Sequence, residues 1–334
     1  MKYKCNNKKS KGQYFTFYNP FEHELFYEWL NKIDNIDSRI ILEPFCGINS
    51  IPFLLNKMNF DFNWHCFDID KKNISKNRMP NINIEVKNCF TRFPKGYNVI
   101  ITNPPYLSQH SAKRQNIDFP SIKYDNLYKL SLSLMLKNSD YIAAILPESF
   151  ITQPLFKSRL YGVISINNKV FNDTEFPVCL ALFLPEKSKK HWVYLGREKI
   201  GYYHDLKKLM IQPLKKYKVK FNEPDGEIAL RAIDNGYEDS ICFFKGNNFQ
   251  NLKINKMSRH FTRISVDINT DMDLIIIEAN NILKNLRETT HDLFLTSFKG
   301  LRKDGKYRRR LDYRTARYII NKAIENINTK VVKT

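Results

Sequence analysis

Four consecutive residues, Asn103-Pro104-Pro105-Tyr106, form the most chemically informative pattern in the chain. They follow the short segment 98–102, which is rich in β-branched residues and typical of a buried strand. Prolines lack an N–H and fix φ, so the carbonyl oxygens of Asn103 and Pro104 cannot join a helix or a strand ladder. These oxygens are left facing the space beyond the strand, where open α/β sheets bind ligands. The pattern therefore predicts hydrogen-bond acceptors beside an aromatic ring at a ligand site.

Two simpler interpretations of the same four residues stand beside this one. Pro-Pro pairs commonly do no more than end a strand in a turn. A polyproline ligand for an adaptor domain is the other alternative, although such ligands lie in exposed tracts rather than behind a buried strand. The elements around the motif are needed to choose among the three interpretations.

Those elements alternate between strand-like and helix-like segments through the first half of the chain. Seven segments are predicted as strands, at 40–42, 63–67, 82–86, 98–102, 141–146, 163–171 and 178–184. Helices are predicted between the first five strands, with a further helix over 150–160. This order predicts an α/β fold with a doubly wound, mostly parallel seven-stranded sheet.

The ends of the first two predicted strands carry residues suited to a ligand that contains a ribose. The turn 43–47 lies between a strand and a helix, where backbone N–H groups come close to a ligand. Asp68 lies 21 residues beyond Gly47 and can accept both hydroxyls of a ribose, with a helix N-cap as its alternative role. Asn49 stands where a second glycine would, so the three-glycine dinucleotide fingerprint is absent.

Composition narrows the class of protein. The chain has 334 residues, of which 43% are hydrophobic, enough for a sizeable core and two domains. No apolar run of membrane-spanning length and no signal peptide are present, so we expect a soluble, cytoplasmic protein. The six cysteines and seven histidines are scattered, without a Cys-x-x-Cys pair, so neither a disulfide scaffold nor a metal site is indicated.

The net charge of +20 favours an anionic partner, because such a surplus opposes compaction by self-repulsion. Nucleic acid is the default partner, with an acidic membrane surface as the alternative. An AT-rich genome would by itself raise the lysine content, but it would not cluster arginines. A solvated basic face is the simpler explanation of such clusters. The cationic residues expected to contact nucleic acid are Lys113, Arg114, Arg302, Lys303, Lys306, Arg308, Arg309 and Arg310.

A polar segment at 185–190 predicts a domain boundary, which divides the chain into residues 1–185 and 186–334. Beyond it, strand-like pieces alternate with turns, and helices are predicted over 271–287 and 315–327. The second part is therefore expected to be a basic α+β domain that binds nucleic acid.

With these elements in place, the chain resembles the N6-adenine DNA methyltransferases, in the subclass with the cofactor domain first and the target-recognition domain last. The resemblance rests on the turn 43–47, Asp68 and the Asn-Pro-Pro-Tyr motif, and it covers residues 11–184. It implies a class I methyltransferase fold, S-adenosyl-L-methionine as cofactor and flipping of the target base out of double-stranded DNA. It also implies a restriction-modification setting, with a cognate endonuclease acting on the same site without a stable complex.

The resemblance assigns roles to individual residues. The catalytic motif is Asn103, Pro104, Pro105 and Tyr106. The cofactor-binding residues are Tyr14, Phe15, Thr16, Glu43, Phe45, Gly47, Asp68, Ile69, Asn88, Cys89, Phe90, Asn103 and Pro105. The target base is expected to stack on Tyr106 and on a second aromatic residue, for which we prefer Phe171 over Phe176.

The chain departs from the family pattern at two points. Asn49 replaces a usual glycine, and the aspartate that accepts from the amino group of the cofactor's adenine is missing after the third strand. Asn88 is expected to take its place, with Phe90 packed on the adenine.

Other functions remain as alternatives. RNA, protein-glutamine and N4-cytosine methyltransferases use related motifs. From other classes, a nucleic-acid-binding module with a decayed cofactor site fits Asn49 and Cys89, whereas a nicotinamide oxidoreductase is opposed by the single-glycine turn.

Overall fold

The computed structural model describes residues 16, 18–74, 80–121, 123–171, 174–249, 260–268 and 270–331. Within these ranges the chain forms two compact units, residues 1–203 and 204–334, each of which has its own sheet. No helix in the described ranges is both long enough and apolar enough to cross a membrane.

A nine-stranded sheet forms the framework of the first unit. Its strands are β1 (Ile40–Glu43), β2 (Asn63–Asp68), β3 (Ile82–Val86), β4 (Val99–Thr102), β5 (Tyr141–Pro147), β6 (Leu160–Ile166), β7 (Val178–Phe183), β8 (Trp192–Leu195) and β9 (Glu198–Tyr202). Their spatial order is β3-β2-β1-β4-β5-β7-β6-β8-β9. Strands β1 to β5 run parallel, while β7 lies antiparallel between β5 and β6.

Helices precede β1 and connect β1 to β2, β2 to β3 and β4 to β5, whereas the helix predicted between β3 and β4 is absent from residues 87–98. The helices are α1 (Glu24–Leu30), α2 (Ser50–Lys57), α3 (Lys71–Ile74), α4 (Gln109–Arg114) and α5 (Leu127–Asn138), with 3₁₀ turns at Ile36–Ser38 and Glu148–Phe150. The strand order reverses between β1 and β4, which is the point where doubly wound sheets bind ligands. The predicted doubly wound, mostly parallel α/β fold is confirmed.

Other details of the first unit also differ from the prediction. The sheet has nine strands rather than seven, because β8 pairs with β6 in parallel and β9 pairs with β8. These strands extend the first unit to residue 203, so the division falls 18 residues beyond the predicted boundary at 185. The helix predicted over 150–160 is absent, because Pro154 lies in its middle and Phe156 has a left-handed backbone with φ of 62°.

The core of the first unit lies on both sides of its central strands. Every residue of β4 and β7 is buried, which explains why these short strands are continuous runs of apolar residues. Trp29 of α1 is fully buried and donates its indole N–H to the carbonyl oxygen of Phe183 at 2.8 Å. The central strands are thus covered by apolar side chains.

The second unit is built on antiparallel strands. A four-stranded sheet has the order β10-β13-β11-β12, and a separate hairpin pairs β14 with β15. The strands are β10 (Val219–Phe221), β11 (Ile228–Arg231), β12 (Cys242–Lys245), β13 (Phe261–Val266), β14 (Thr296–Leu301) and β15 (Tyr307–Arg310). The helices are α6 (Tyr203–Lys208), α7 (Met272–Thr290) and α8 (Tyr313–Val331), with a 3₁₀ turn at Gly246–Phe249.

One face of this sheet carries the core of the second unit. Leu230 of β11 and Ile264 of β13 pack in the same apolar cluster as Leu283 of α7 and Ile320 of α8. All four side chains are buried, so the two long helices are held to the sheet by apolar contacts. The predicted α+β character of the second part of the chain is confirmed.

Candidate functional site

A cavity of about 760 Å³ opens at the carboxyl ends of the first four strands. Residues that end or follow β1, β2, β3 and β4 line it, among them Glu43, Asp68, Asn88 and Asn103. Parallel strands bring their carboxyl ends to one edge of the sheet, so side chains distant in sequence meet here.

The turn after β1 is fixed by a carboxylate from β2. The backbone N–H of Gly47 donates to Oδ2 of Asp68 at 2.9 Å, and the backbone N–H of Asp70 donates to Oδ1 of Asp68 at 2.7 Å. Gly47 and Asn49 both have left-handed backbones, with φ of 55° and 61°. Asparagine tolerates this conformation better than most other side chains do, which is a physical reason for an asparagine at position 49.

Glu43 ends β1 and is fully buried against the cavity. Its Oε1 accepts from the hydroxyl of Thr102 at 2.5 Å and from the backbone N–H of Phe45 at 3.1 Å. Its Oε2 is buried and has no hydrogen-bond partner among the described residues. Burial raises the pKa of Glu43 to about 8, against the smaller opposing effect of these hydrogen bonds. The site therefore offers one unsatisfied carboxyl oxygen to a donor.

The segment after β3 forms another part of the wall. Oδ1 of Asn88 accepts from the backbone N–H of Phe90 at 3.0 Å, which shapes a tight turn. The ring of Phe90 lies 5.2 Å from the ring of Phe45 between centroids, tilted by 31°. Cys89 is buried, and burial raises the pKa of its thiol to about 12, so it is not a reactive nucleophile.

Asn103 lies at the centre of a hydrogen-bond network. Its Nδ2 donates to Oγ1 of Thr16 at 3.2 Å, and its Oδ1 lies 2.7 Å from the hydroxyl oxygen of Tyr106. The same hydroxyl lies 2.7 Å from the carbonyl oxygen of Ile145 on β5. The side chain of Asn103 is thereby held at the edge of the cavity.

The ring of Tyr106 packs within an aromatic cluster. Phe176 is roughly parallel to it, with centroids 5.9 Å apart and an interplanar angle of 30°, whereas Phe171 meets it at 63°. Phe171 is fully buried and Phe176 is only partly buried. A stacking partner for an incoming ring must be parallel and accessible, so the geometry favours Phe176, contrary to our preference for Phe171.

Most residues predicted for the cofactor meet at this one cavity. Those that line it are Thr16, Glu43, Phe45, Gly47, Asp68, Ile69, Asn88, Cys89, Phe90, Asn103 and Pro105. The predicted residues Tyr14 and Phe15 lie outside the described part of the chain. Pro104 and Tyr106 are buried and are not among the residues that line the cavity.

The residues on one side of the cavity were not predicted from the sequence. Leu107 and residues 117–120 line it, and Leu127 at the start of α5 joins them. The only signal was the unusual length of the polar segment after Tyr106, which contains α4 and is not structureless.

The cations predicted to contact nucleic acid fall into two groups. Arg302 and Arg309 are buried, so our prediction for these two is wrong. Arg302 pairs with Asp304 at 2.5 Å and with Asp239, and the Nη1 of Arg309 donates to Ser297 at 2.6 Å. Buried guanidinium groups must be paired, and these pairs hold the hairpin β14–β15 together instead of binding a partner. The other predicted cations are partly or fully exposed: Lys113, Arg114, Lys303, Lys306, Arg308 and Arg310.

Arg287 also forms ion pairs within the second unit, with Asp234 and Asp292. Arg287 of α7 donates to Asp234 at 3.0 and 3.1 Å and to Asp292 at 2.8 Å. Burial alone would raise the pKa of Asp234, but the hydrogen bonds from Arg287 and from backbone N–H groups hold it below its ordinary value.

Among the described residues, no group of three or more His, Cys, Asp or Glu side chains is arranged to hold a metal ion.

Comparisons with known proteins give similarity in structure only. No family model matches the chain, and no curated protein sequence does. A type I restriction-modification methyltransferase subunit from Streptococcus thermophilus is 14% identical, with a TM-score of 0.36 over 54% of this chain and 46% of that one. A putative RNA methyltransferase from Pyrococcus horikoshii is also 14% identical, with a TM-score of 0.40 over 56% of this chain and 94% of that one.

A third solved structure covers more of the chain. The M protein of the type I restriction enzyme EcoKI is 11% identical, with a TM-score of 0.33 over 77% of this chain and 68% of that one. The chain thus spans less than half of the Streptococcus subunit and about two thirds of the EcoKI protein. At such low identities and TM-scores, none of these likenesses identifies the activity or the substrate of this chain.

Proposed function

We propose that the chain transfers a methyl group from S-adenosyl-L-methionine to the N6 amine of adenine in double-stranded DNA. One observation carries the proposal: Asn103 and Pro105 line the same cavity as Glu43, Gly47 and Asp68. The acceptor groups of the Asn-Pro-Pro-Tyr motif are thereby placed beside a site suited to an amino acid joined to a nucleoside.

The residues of the cavity fit this cofactor. The buried Oε2 of Glu43, which has no partner among the described residues, suits an ammonium group, whose positive charge favours the ionised form of this carboxyl group against the burial that raises its pKa. Asp68 suits the ribose hydroxyls, since a carboxylate has acceptor sites left after its two backbone hydrogen bonds. The partly exposed rings of Phe45 and Phe90 suit the adenine. When bound, the cofactor supplies an activated methyl group on a sulfonium.

The motif then has a defined task, which needs no strong base. The exocyclic amine of adenine is a poor nucleophile, because its lone pair is delocalised into the ring. Two acceptors that bind its two hydrogens favour a tetrahedral nitrogen whose lone pair is directed at the methyl group. Oδ1 of Asn103 and the carbonyl oxygen of Pro104 are assigned this role, an electrostatic preorganisation that resembles an oxyanion hole with reversed polarity.

Tyr106 permits Asn103 to accept this new hydrogen bond. A hydroxyl carries one proton, so that of Tyr106 can donate to Ile145 while Oδ1 of Asn103 receives the amine. No buried group loses its partner in this exchange. The motif can therefore bind the substrate without an energetic penalty from desolvated polar atoms.

The target base must leave the duplex to reach the cavity, at a cost of a few kcal/mol. Stacking between Tyr106 and Phe176 would return roughly 1–3 kcal/mol. Stacked bases in DNA lie about 3.4 Å apart, so a base between the two rings needs a gap of about 7 Å. The ring centroids lie 5.9 Å apart with their planes tilted by 30°, so the gap between the rings is no wider than this and Phe176 has to move to admit a base. Its partial exposure allows this movement, whereas the full burial of Phe171 does not.

The second unit and the large positive charge are assigned to DNA binding, with site-specific methylation in a restriction-modification system as the biological setting. A cognate endonuclease would act on the same DNA site without binding this chain. Flipping a base requires binding energy from elsewhere on the duplex, and phosphate contacts are its usual source.

Expression in a host that lacks DNA methylation tests the proposal. Modified-base sequencing of a plasmid from that host should find N6-methyladenine at one recurrent sequence, and only with the intact chain. Methylated RNA with unmodified DNA, N4-methylcytosine in place of N6-methyladenine, or no modification at all would each refute it. An Asp68→Ala variant is the matched control, because it should lose the mark while leaving the basic second unit unchanged.

A further inference from the structure

The sheet of the second unit has a face that its core does not use. Along β11, Ile228 and Leu230 belong to the apolar cluster, so Arg231 points to the opposite side. The residues paired with Arg231 share that side, namely Cys242 on β12 and Phe261 on β13. Arg263 also lies there, because it pairs with Ala229. We call this side, together with its continuation on β15, the outer sheet face.

Strand β15 extends this face with two more arginines. Arg310 pairs with Ile233, and the next residue, Leu311, packs in the core, so Arg310 and Arg308 turn away from the core. The outer sheet face therefore presents Arg231, Arg263, Arg308 and Arg310.

Aromatic rings lie beneath these cations. The guanidinium of Arg231 lies 5.4 Å from the ring centroid of Phe261, and that of Arg308 lies 5.2 Å from the ring of Phe298. His260 is exposed and meets Phe298 edge to face, with centroids 6.0 Å apart. Arginine over aromatic rings, with its charge facing outward, is a common arrangement at nucleic-acid interfaces.

The four arginines have no carboxylate partner among the described residues, in contrast to Arg287 and Arg302 of the same unit. Arg287 and Arg302 are paired with four aspartates, at positions 234, 239, 292 and 304. On the outer sheet face, Arg308 and Arg263 bond only to backbone oxygens through Nε. The Nε atoms of Arg231 and Arg310 are buried without a hydrogen-bond partner among the described residues. Guanidinium groups on one sheet face that lack a carboxylate partner favour an anionic ligand with several acceptors.

We propose that the outer sheet face binds the phosphate backbone of double-stranded DNA, with Arg231 and Arg310 as its principal contacts. The inference rests on the proposed function, which it deepens by locating the DNA-binding surface. It brings in Arg231 and Arg263, which lie far from the arginine-rich segment 302–310 in sequence. It does not require the buried Arg302 and Arg309 of that segment.

The salt dependence of DNA binding tests this inference in the full chain. Each phosphate contact contributes about 0.9 to the slope of log K against log salt concentration. A variant with Arg231→Gln and Arg310→Gln should therefore bind a duplex oligonucleotide with a slope lower by about 1.8. The matched control carries Lys284→Gln and Lys322→Gln, which remove the same charge from exposed positions on α7 and α8. Its slope should be unchanged.

A measurement on the unaltered protein covers the case in which the arginine variant does not fold. Phenylglyoxal modifies accessible arginines, and mass spectrometry reports the extent at each position. Duplex DNA should protect Arg231 and Arg310 from modification. Lack of protection, an equal slope for the double arginine variant, or tighter binding of duplex RNA than of duplex DNA would overturn the inference.

These outcomes are separate from the proposed methyl transfer. Binding is measured without any reaction, so a protein that binds DNA through this face and methylates nothing would refute the proposed function alone. A protein that methylates DNA with an unchanged salt slope in the arginine variant would refute this inference alone.

Discussion

The hydroxyl oxygen of Tyr106 lies 2.7 Å from Oδ1 of Asn103 and also 2.7 Å from the carbonyl oxygen of Ile145. Both neighbours are acceptors, and the hydroxyl has a single proton, so it can donate fully to only one of them. This relationship links the amide that we assign to catalysis to the backbone of β5. The hydrogen bond that Oδ1 of Asn103 accepts from Tyr106 can therefore be replaced by one from the substrate amine while Asn103 stays in place.

Removing this hydroxyl should affect stability more than the reaction. In Tyr106→Phe, the carbonyl oxygen of Ile145 is left buried without this donor, at a cost of about 1–3 kcal/mol in the free energy of unfolding. Oδ1 of Asn103 remains available to the substrate, so single-turnover methyl transfer should fall by less than about tenfold. Abolished transfer in a folded variant would show that the hydroxyl itself takes part in the reaction. Tyr124→Phe, which removes a hydroxyl from a hydrogen bond to Ser133, is the control.

The two aromatic neighbours of Tyr106 should give opposite results. Phe176→Ala should weaken binding of DNA with an extrahelical target base by roughly 1–3 kcal/mol while leaving the thermal unfolding temperature nearly unchanged. Phe171→Ala should instead destabilise the first unit by about 3–5 kcal/mol, because the side chain is fully buried. Fluorescence of 2-aminopurine at the target position measures the first effect, and denaturant titration measures the second. The reverse pattern would restore Phe171 as the stacking residue.

Glu43 should make stability dependent on pH. Burial raises its pKa from 4.5 to about 8, so the folded protein binds this proton more tightly than the unfolded chain does. The resulting stabilisation is fully present below pH 4.5 and is lost as the pH rises through 8. Glu43→Gln, which keeps the shape but cannot ionise, should flatten this part of the stability curve. Equal pH profiles for the two proteins, measured by urea unfolding, would contradict the assignment.

Arg302 should behave as a structural residue. Arg302→Ala removes the buried cation that pairs with Asp239 and Asp304. The loss of one partner from a buried ion pair typically lowers the free energy of unfolding by about 3–5 kcal/mol. The second unit should therefore unfold at a lower temperature, as followed by calorimetry. Lys303→Ala, at the exposed neighbouring position, serves as the control and should leave the unfolding temperature unchanged. A stable Arg302→Ala protein with a reduced salt slope for DNA would revive the predicted phosphate contact.

Residues that line the cavity were predicted correctly from the sequence where they lie in the turns that directly follow the strands. Proline after a buried strand located the motif at 103–106, and the spacing of Asp68 from Gly47 predicted a carboxylate at the same ligand site, where both residues line the cavity. Such features are predictable because a turn between strand and helix has few solutions, each with characteristic residues.

Predictions failed where long-range contacts decide the outcome. Strand β8 pairs with β6, and β7 lies between these two strands in the sequence. No local sequence pattern predicts this pairing. Likewise, Arg302 and Lys303 look equivalent in sequence, yet one is buried among aspartates and the other is exposed. Burial of a charged side chain is set by its partners, here Asp239 and Asp304, of which the first is distant in sequence.

The role of Asn103 is tested most directly by methyl transfer from labelled S-adenosyl-L-methionine to unmethylated duplex DNA, with digestion and identification of the labelled nucleoside. The intact protein should place the label on N6-methyl-2′-deoxyadenosine, and Asn103→Ala should be slower by about 10²–10³-fold, the loss typical of one preorganised hydrogen-bonding group. Calorimetry should find the affinity of the variant for S-adenosylhomocysteine within a few fold of that of the intact protein. Label that never enters DNA, or a variant as active as the intact protein, would contradict the account.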